Sequence, residues 1–440
     1  MESLKFFVSA AKSAVRLAGF IFVALAAVAC AESSGPIKVE IVEKDGKYQL
    51  LRGGLPYTVN GAGIDGLDLE SLARHGGNSM RTWSIDDHAE PAQQLLDRAH
   101  ALGLTVSLGL EIARERHGFD YDDEEAVAKQ LAKARAHVLR YKDHPALLTW
   151  FIGNELNFNY ENPKVFDAIN DIAKMINEVD PNHPTTTPLA GFDKRALSEM
   201  AKRTPDLDFV SFQVYASIFA IPQYLEDINF DKPFFITEWG SVGFWEVAKT
   251  SWGAPIENTS TEKAQNYYKS YFDVIKANAD QVVGNYVFLW GQKQEKTPTW
   301  FGMFLSSGEE TESIDVMHYI WNNKWPDNRV PVISPVTING KTAFDDVKLE
   351  PSQQYNAEVD VKDFENDQLD YQWLIKKEST SDNVGGDKEY IPEIMSGLIK
   401  EHAPEIIFTT PKTPGAYRLF VYAFDGNNNA AHANIPFYVN

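Results

Sequence analysis

Through the first three quarters of the chain, short apolar runs alternate with longer amphipathic stretches. The run over residues 146–152 closes on Gly153, and two strongly polar residues, Asn154 and Glu155, follow at once. A strand buried on both faces carries such a run. A carboxylate and an amide at its end therefore stand where a barrel of parallel strands keeps its chemistry. Residues 233–240 repeat the pattern and place Glu238 in the same position. Runs at 57–64, 79–85, 105–112, 147–153, 185–189, 209–215, 234–238 and 282–290 read as strands. Stretches with helical periodicity separate or follow them at 67–75, 91–102, 123–141, 163–179, 194–203, 222–228, 261–278 and 314–322. Gly76–Gly77 and Gly103 close two of these helices, Pro163 stands in the first turn of another, and a capping threonine opens the 261–278 stretch. Eight strand–helix units predict an α/β fold, a (β/α)8 TIM barrel over residues 57–325.

The pattern changes at both ends. Residues 37–56 predict a β-hairpin turning at 44–47. Residues 326–335 carry three prolines and read as a linker. Beyond it the helical period stops, and short strands at 357–361, 369–375, 406–409, 417–424 and 433–439 predict a small Ig-like β-sandwich over 336–440. The acidic turn within 360–373 resembles those of PKD or cadherin-like modules and offers oxygen ligands for calcium. No catalytic candidate falls in 336–440, so this part is expected to be separable from an active barrel.

At the N-terminus, Lys5, Lys12 and Arg16 precede an apolar run over 17–29, shorter than a membrane span and followed by Cys30, the one cysteine of the chain. Residues 1–30 resemble a bacterial lipoprotein signal, with Ala27 where leucine is usual. The resemblance implies export, lipidation at Cys30 and anchoring to a membrane at the periplasm or cell surface, with simple cleavage and secretion as the alternative. One cysteine forms no internal disulfide, although the compartment would be oxidising.

Composition adds three constraints. With 440 residues, 44% hydrophobic and 23% charged, the chain folds and has room for a large and a small domain. A formal net charge of −21 excludes nucleic acid as a partner. His88, His117 and His144 lack the spacing of a metal site, and no catalytic metal or other cofactor is expected.

Two strand-end carboxylates facing one pocket are what glycosidic bond cleavage requires: one donates a proton to the leaving oxygen, the other acts as nucleophile or base. The barrel resembles the clan A glycoside hydrolases, retaining (β/α)8 glycosidases, and among them the catalytic domains of families 2 and 5. The resemblance implies that Asn154–Glu155 ends strand four with Glu155 as acid/base, and that Glu238 ends strand seven as nucleophile. It also places Arg81, Tyr215 and Trp290 at the ends of strands two, six and eight. Family 5 has a histidine two residues before that tyrosine, and this chain has Gln213. Arg81 is expected to keep Glu238 ionised and Tyr215 to donate to it. Asn154 is expected to bond the sugar 2-hydroxyl, while Trp150, Trp239 or Trp290 would desolvate Glu155. Trp83, Gln213, Trp239 and Trp290 complete the expected substrate-binding set. Glu111 and Asp65 read either as sugar contacts or as rim ion pairs.

The expected function is an exported retaining β-glycosidase acting on a neutral β-linked glucan, β-1,3-glucan first, by double displacement. Neutrality follows from the segments after the strands. They offer mainly Arg81, Arg114, Arg116 and Lys293 as cations, among Asp86, Asp87 and Glu111, while Trp245, Trp252 and Trp300 can stack on uncharged rings. A β-glucan transglycosylase using the same residues is one alternative, and a non-catalytic carbohydrate-binding surface protein is another.

Overall fold

The computed structural model describes residues 35–64, 68–85, 90–383 and 386–440. The leader with Cys30, and Asp65, Asp86, Asp87 and His88, lie outside the described residues.

The described chain begins with β1 (Val39–Lys44), β2 (Lys47–Arg52) and the short β3 (Leu55–Pro56), an antiparallel sheet in which β3 extends the expected hairpin. It covers the N-terminal end of a barrel. The Val39 amide donates to the Asn182 carbonyl, the Tyr48 amide to the Asp280 carbonyl and Arg52 to the Pro145 carbonyl, all just ahead of barrel strands. Val39 and Leu50 pack there against Leu148, Phe151, Phe235 and Tyr286.

The barrel is closed by eight parallel strands: β4 (Asn60–Ile64), β5 (Ser79–Arg81), β6 (Thr105–Leu110), β7 (Leu147–Ile152), β8 (Thr185–Ala190), β9 (Phe209–Gln213), β10 (Phe234–Glu238) and β11 (Val282–Trp290). Several strands are shorter than their apolar runs. After Arg81 the Thr82 hydroxyl replaces a backbone acceptor, taking the Gly109 amide at 2.9 Å, and the ladder ends. After Gln213 the chain turns into a short 3-10 segment, Ala216–Ala220. Helices surround the barrel, and the stripe Val165, Phe166, Ile169, Ile172 and Ile176 of Lys164–Val179 shows how the 3.6 period is buried. The helix Ser260–Lys269 is capped by Thr259 in a reciprocal box with Glu262, and it widens into a π-helical turn over Ser270–Ile275.

The segment read as a linker is docked. Val330 and Ile333 are buried, Asp315 accepts from Arg329 and from the Val330 amide at 2.9 Å, and the Ile333 amide donates to Thr261. Within it, β12 (Val332–Ile333) pairs with β16 (Val361–Lys362). Prolines restrict a docked segment as readily as a tether, so composition alone does not separate the two. Beyond it, a three-stranded sheet of β13 (Thr337–Ile338), β15 (Gln354–Glu358) and β18 (Glu405–Thr409) faces a four-stranded sheet. The latter contains β14 (Lys348–Leu349), β20 (Ala430–Val439), β19 (Gly415–Phe424) and β17 (Asp370–Lys377). Trp373, Phe408, Leu419 and Phe437 fill the space between them.

This sandwich meets the barrel through buried polar groups, which argues against the expected separability. Arg418 is fully buried and donates to Glu378, to Asn434 and, at 2.7 Å, to the Pro255 carbonyl. Glu257 accepts from Lys263, Thr299 and Asn434, and the His432 amide donates to Ser260. Removing one side of such an interface leaves buried charges unpaired on the other.

Candidate active site

The site is built at the C-terminal ends of the strands. Gly153 (φ 71°) and Glu155 (φ 53°) both take left-handed backbone after β7, a double turn that throws Asn154 and Glu155 toward the barrel axis. A Cβ at position 153 would come within 2.5 Å of Leu156, so glycine is required there. The left-handed conformation costs Glu155 about 1 kcal/mol, and it is held by its amide donating to the Pro188 carbonyl and its carbonyl accepting from Phe158. On the facing strand the β9–β10 register shifts between Ile236 and Glu238, an irregularity that re-aims the Glu238 side chain. Just beyond, a Cβ at Gly240 would come within 2.6 Å of both the Phe288 carbonyl and the Tyr267 hydroxyl. The Phe288–Leu289 peptide on β11 is cis.

Glu238 is 5% exposed and surrounded by donors. Its Oε1 accepts from Arg81 Nη1 at 3.1 Å, Trp83 Nε1 at 2.8 Å and Gln213 Nε2 at 2.9 Å, and its Oε2 accepts from the Tyr215 hydroxyl at 2.7 Å. Arg81 also donates to Asn154 Oδ1 at 2.8 Å and to the Thr237 carbonyl, and its guanidinium lies 4.9 Å from the Trp83 ring. Burial pulls the Arg81 pKa down and the Glu238 charge opposes that shift, so the guanidinium stays charged. Burial first, and then the Glu238 charge, push the Tyr215 hydroxyl well above its ordinary pKa, which keeps it a donor.

Glu155 stands in the opposite setting. Burial and the neighbouring Glu238 charge raise its pKa to about 7, against the pull of Arg116, Arg114 and Arg81. The tryptophans expected to desolvate it lie elsewhere: Trp150 bonds Asp180, Trp239 bonds Asn285, and Trp290 packs on His75, Phe304 and Trp321.

A cavity of about 340 Å³ opens over both carboxylates. Trp83, Asn154, Glu155, Tyr215 and Glu238 line it. Arg81 and Gln213 lie behind that lining and act through Glu238 and Asn154. Trp239 and Trp290, read as sugar contacts, are fully buried core residues. Trp290 ends β11 and Trp239 follows β10, but neither lines the cavity. Among the other aromatic candidates, Trp245 is 52% exposed at the mouth, while Phe244, Trp300 and Phe301 are buried and packed together behind it. Trp252 stacks on Tyr438 of the sandwich. Glu111 is exposed and outside the lining, and His144 accepts the Ala146 amide in a loop.

Several residues of the site carried no local signal. Glu246 accepts from the amides of Ala216, Ser217 and Gly243, tying the loops after β9 and β10 together beside Tyr215. Glu295 forms an ion pair at 3.0 Å in the lining with Lys293, one of the cations expected after the strands. Gly386 and Asp387, from the sandwich, line the cavity as well. Among the described residues, one acidic group has the spacing for a cation. Asp363 and Asp367 of the acidic turn join Asp425, with one oxygen from each within 4.8 Å of the others, and none of the three lines the cavity.

Residues 67–300, more than half of the chain, match the model of the glycosyl hydrolases family 2, TIM barrel domain. The chain belongs to that family. As a family 2 barrel it is also 24% identical to the mannan endo-1,4-beta-mannosidase F of Aspergillus clavatus, over 39% of this chain and 54% of that protein. The chain therefore spans about half the length of the curated relative it matches. Solved structures similar to this family 2 chain include the beta-glucuronidase of Bacteroides uniformis, at TM-score 0.49 and 13% identity, covering 91% of this chain and 48% of that one. A second is the beta-glucuronidase of Bifidobacterium dentium, at TM-score 0.49 and 16% identity, covering 66% and 50%.

Proposed function

We propose that this chain is a retaining β-glycosidase in which Glu155 is the acid/base and Glu238 the nucleophile. The observation that carries the reading is that one cavity holds two carboxylates in opposite environments. Four donors converge on the Glu238 carboxylate, while burial and that neighbour hold a proton on Glu155 to about pH 7. In the first half-reaction Glu238 forms a bond to the anomeric carbon as the glycosidic C–O bond breaks, and the Glu155 proton goes to the departing oxygen. In the second, Glu155 takes a proton from water, the hydroxyl adds to the same carbon, and the bond to Glu238 breaks. Asn154, held by Arg81 and Gln213, is placed to meet the 2-hydroxyl.

The substrate proposed is a neutral β-linked polysaccharide or oligosaccharide. Of the charged cavity-lining residues, Glu155, Glu238, Glu295 and Asp387 are acidic, and Arg114 and Lys293 are basic. Lys293 is already engaged by Glu295, and Arg114 donates to the Asn154 carbonyl. A uronate would find both lining cations already engaged, and Glu295 and Asp387 beside them. Nothing in the lining favours glucan over mannan, and the mannosidase relative puts β-1,4-mannan ahead of β-1,3-glucan as the first polymer to test. Export, with Cys30 as a lipid attachment site, is part of the same proposal and rests on the sequence of the leader.

Glu238→Ala should abolish turnover, and azide should restore it in part by giving a glycosyl azide of inverted configuration. Normal turnover in that variant refutes the assignment. A panel of mannan, laminarin-type glucan, cellulose oligomers and alginate at one salt concentration decides the substrate, and activity confined to alginate overturns neutrality.

A further inference from the structure

Part of the cavity lining is not made by the barrel. It comes from the connection between β17 and β18 of the sandwich, where Gly386 and Asp387 reach the lining. Two barrel loops grip this connection. From the loop after β6, Arg116 approaches Asp387 at 3.7 Å and His117 at 3.3 Å. From the loop after β11, Lys293 donates to the Gly386 carbonyl at 2.9 Å, the Lys296 amide donates to Glu389 at 2.8 Å, and the Lys296 ammonium bonds the Ser381 carbonyl. The root of the connection is fixed as well. Glu378 pairs at 2.7 Å with the buried Arg418, which also holds the Pro255 carbonyl of the barrel. The Asp387 side chain remains 38% exposed, so it borders the cavity with acceptor capacity left over. Arg116 and His117 together steady a carboxylate that has four lone-pair sites.

We propose that Asp387 is a specificity-determining residue of the barrel's active site, accepting hydrogen bonds from the hydroxyls of a neutral saccharide bound in the cavity. The sandwich is then a constituent of the substrate site and not an appended binding module. The inference rests on the reading of this cavity as a saccharide site. A carboxylate suits the vicinal hydroxyls of an uncharged sugar and repels a uronate, and a hydrogen bond to a charged acceptor is among the stronger ones.

The test uses the full chain with Glu238→Gln, so that ligand is not turned over. Mannotetraose and laminaritetraose are titrated separately while the fluorescence of Trp83 and Trp245 is followed. At least one of the two should bind, and adding Asp387→Ala should weaken that binding by about tenfold or more. Glu389→Gln, which loosens the same connection from outside the cavity, should change it by less than about threefold. Unchanged binding with Asp387→Ala overturns the proposal, and so does an equal loss with Glu389→Gln, which would reduce Asp387 to a clasp. Failure of both oligosaccharides to bind when Asp387 is intact overturns it too. The retaining reading stands or falls separately, on azide rescue of Glu238→Ala.

Discussion

At the residue scale, the two carboxylates differ in what surrounds them, and that difference is measurable. The Glu155 proton is held to about pH 7 by burial and by the charge of Glu238, so the reactive protonated fraction declines as pH rises through 7. For an oligosaccharide with a poor leaving group, kcat/KM should fall about tenfold per pH unit above that point. In Glu155→Gln this alkaline limb should vanish from the residual activity on an activated aryl glycoside, whose leaving group needs little protonation. A limb that survives at the same pH would assign it to another group. The positions of both glutamates were legible because each interrupts an apolar run where burial would otherwise forbid a charge. Side-chain direction was not legible. Trp239 follows Glu238 directly, and alternation along the chain sends its ring out of the cavity. Trp290 ends its strand among His75, Phe304 and Trp321 for the same kind of reason.

At the scale of elements, the barrel was readable because strand and helix periods alternate in local sequence. The contact between barrel and sandwich was not, since it joins residues such as Pro255 and Arg418 that no local pattern relates. That contact should titrate. Burial, and secondarily Lys263, lower His432 to about 3, while Lys263, then His432 and Arg418, overcome the burial of Glu257 and take it to about 2. Unfolded, the histidine takes a proton below about 6.5 and the glutamate below about 4.3. At these two sites the folded chain binds fewer protons in both windows, so their contribution to stability is lost as pH falls, first from about 6.5 and further below about 4.3, by up to about 1.4 kcal/mol per pH unit for each group. Glu155 and Glu312, raised to about 7, and Asp315, raised to about 6, contribute in the opposite sense over the same range. Unfolding temperature measured from pH 7 to pH 4 should therefore be compared between the parent and His432→Gln: the parent should lose stability relative to the variant as pH falls below about 6.5. Parallel profiles in the two proteins would refute the buried, neutral histidine.

At the scale of the whole molecule, residues 336–440 looked dispensable because no motif there resembled catalytic machinery. A cavity assembled from both parts leaves no such freedom. Expressing residues 36–325 alone should give a protein with no detectable hydrolysis and a lower unfolding temperature, since Glu257 and Lys263 lose Asn434 and the neighbouring Arg418. A truncated barrel of full activity and unchanged stability would restore the modular view. Cys30→Ser should move the protein out of the membrane fraction of an expressing bacterium, and an unchanged distribution would reject lipidation.

The small sheet at the start of the described chain has a geometric consequence of its own. Its bonds to the Asn182, Asp280 and Pro145 carbonyls fix Val39 at the pole of the barrel opposite the cavity mouth. Under the proposed lipid attachment at Cys30, the chain would enter the barrel at the pole away from the substrate cavity, so the tether would not cross the mouth.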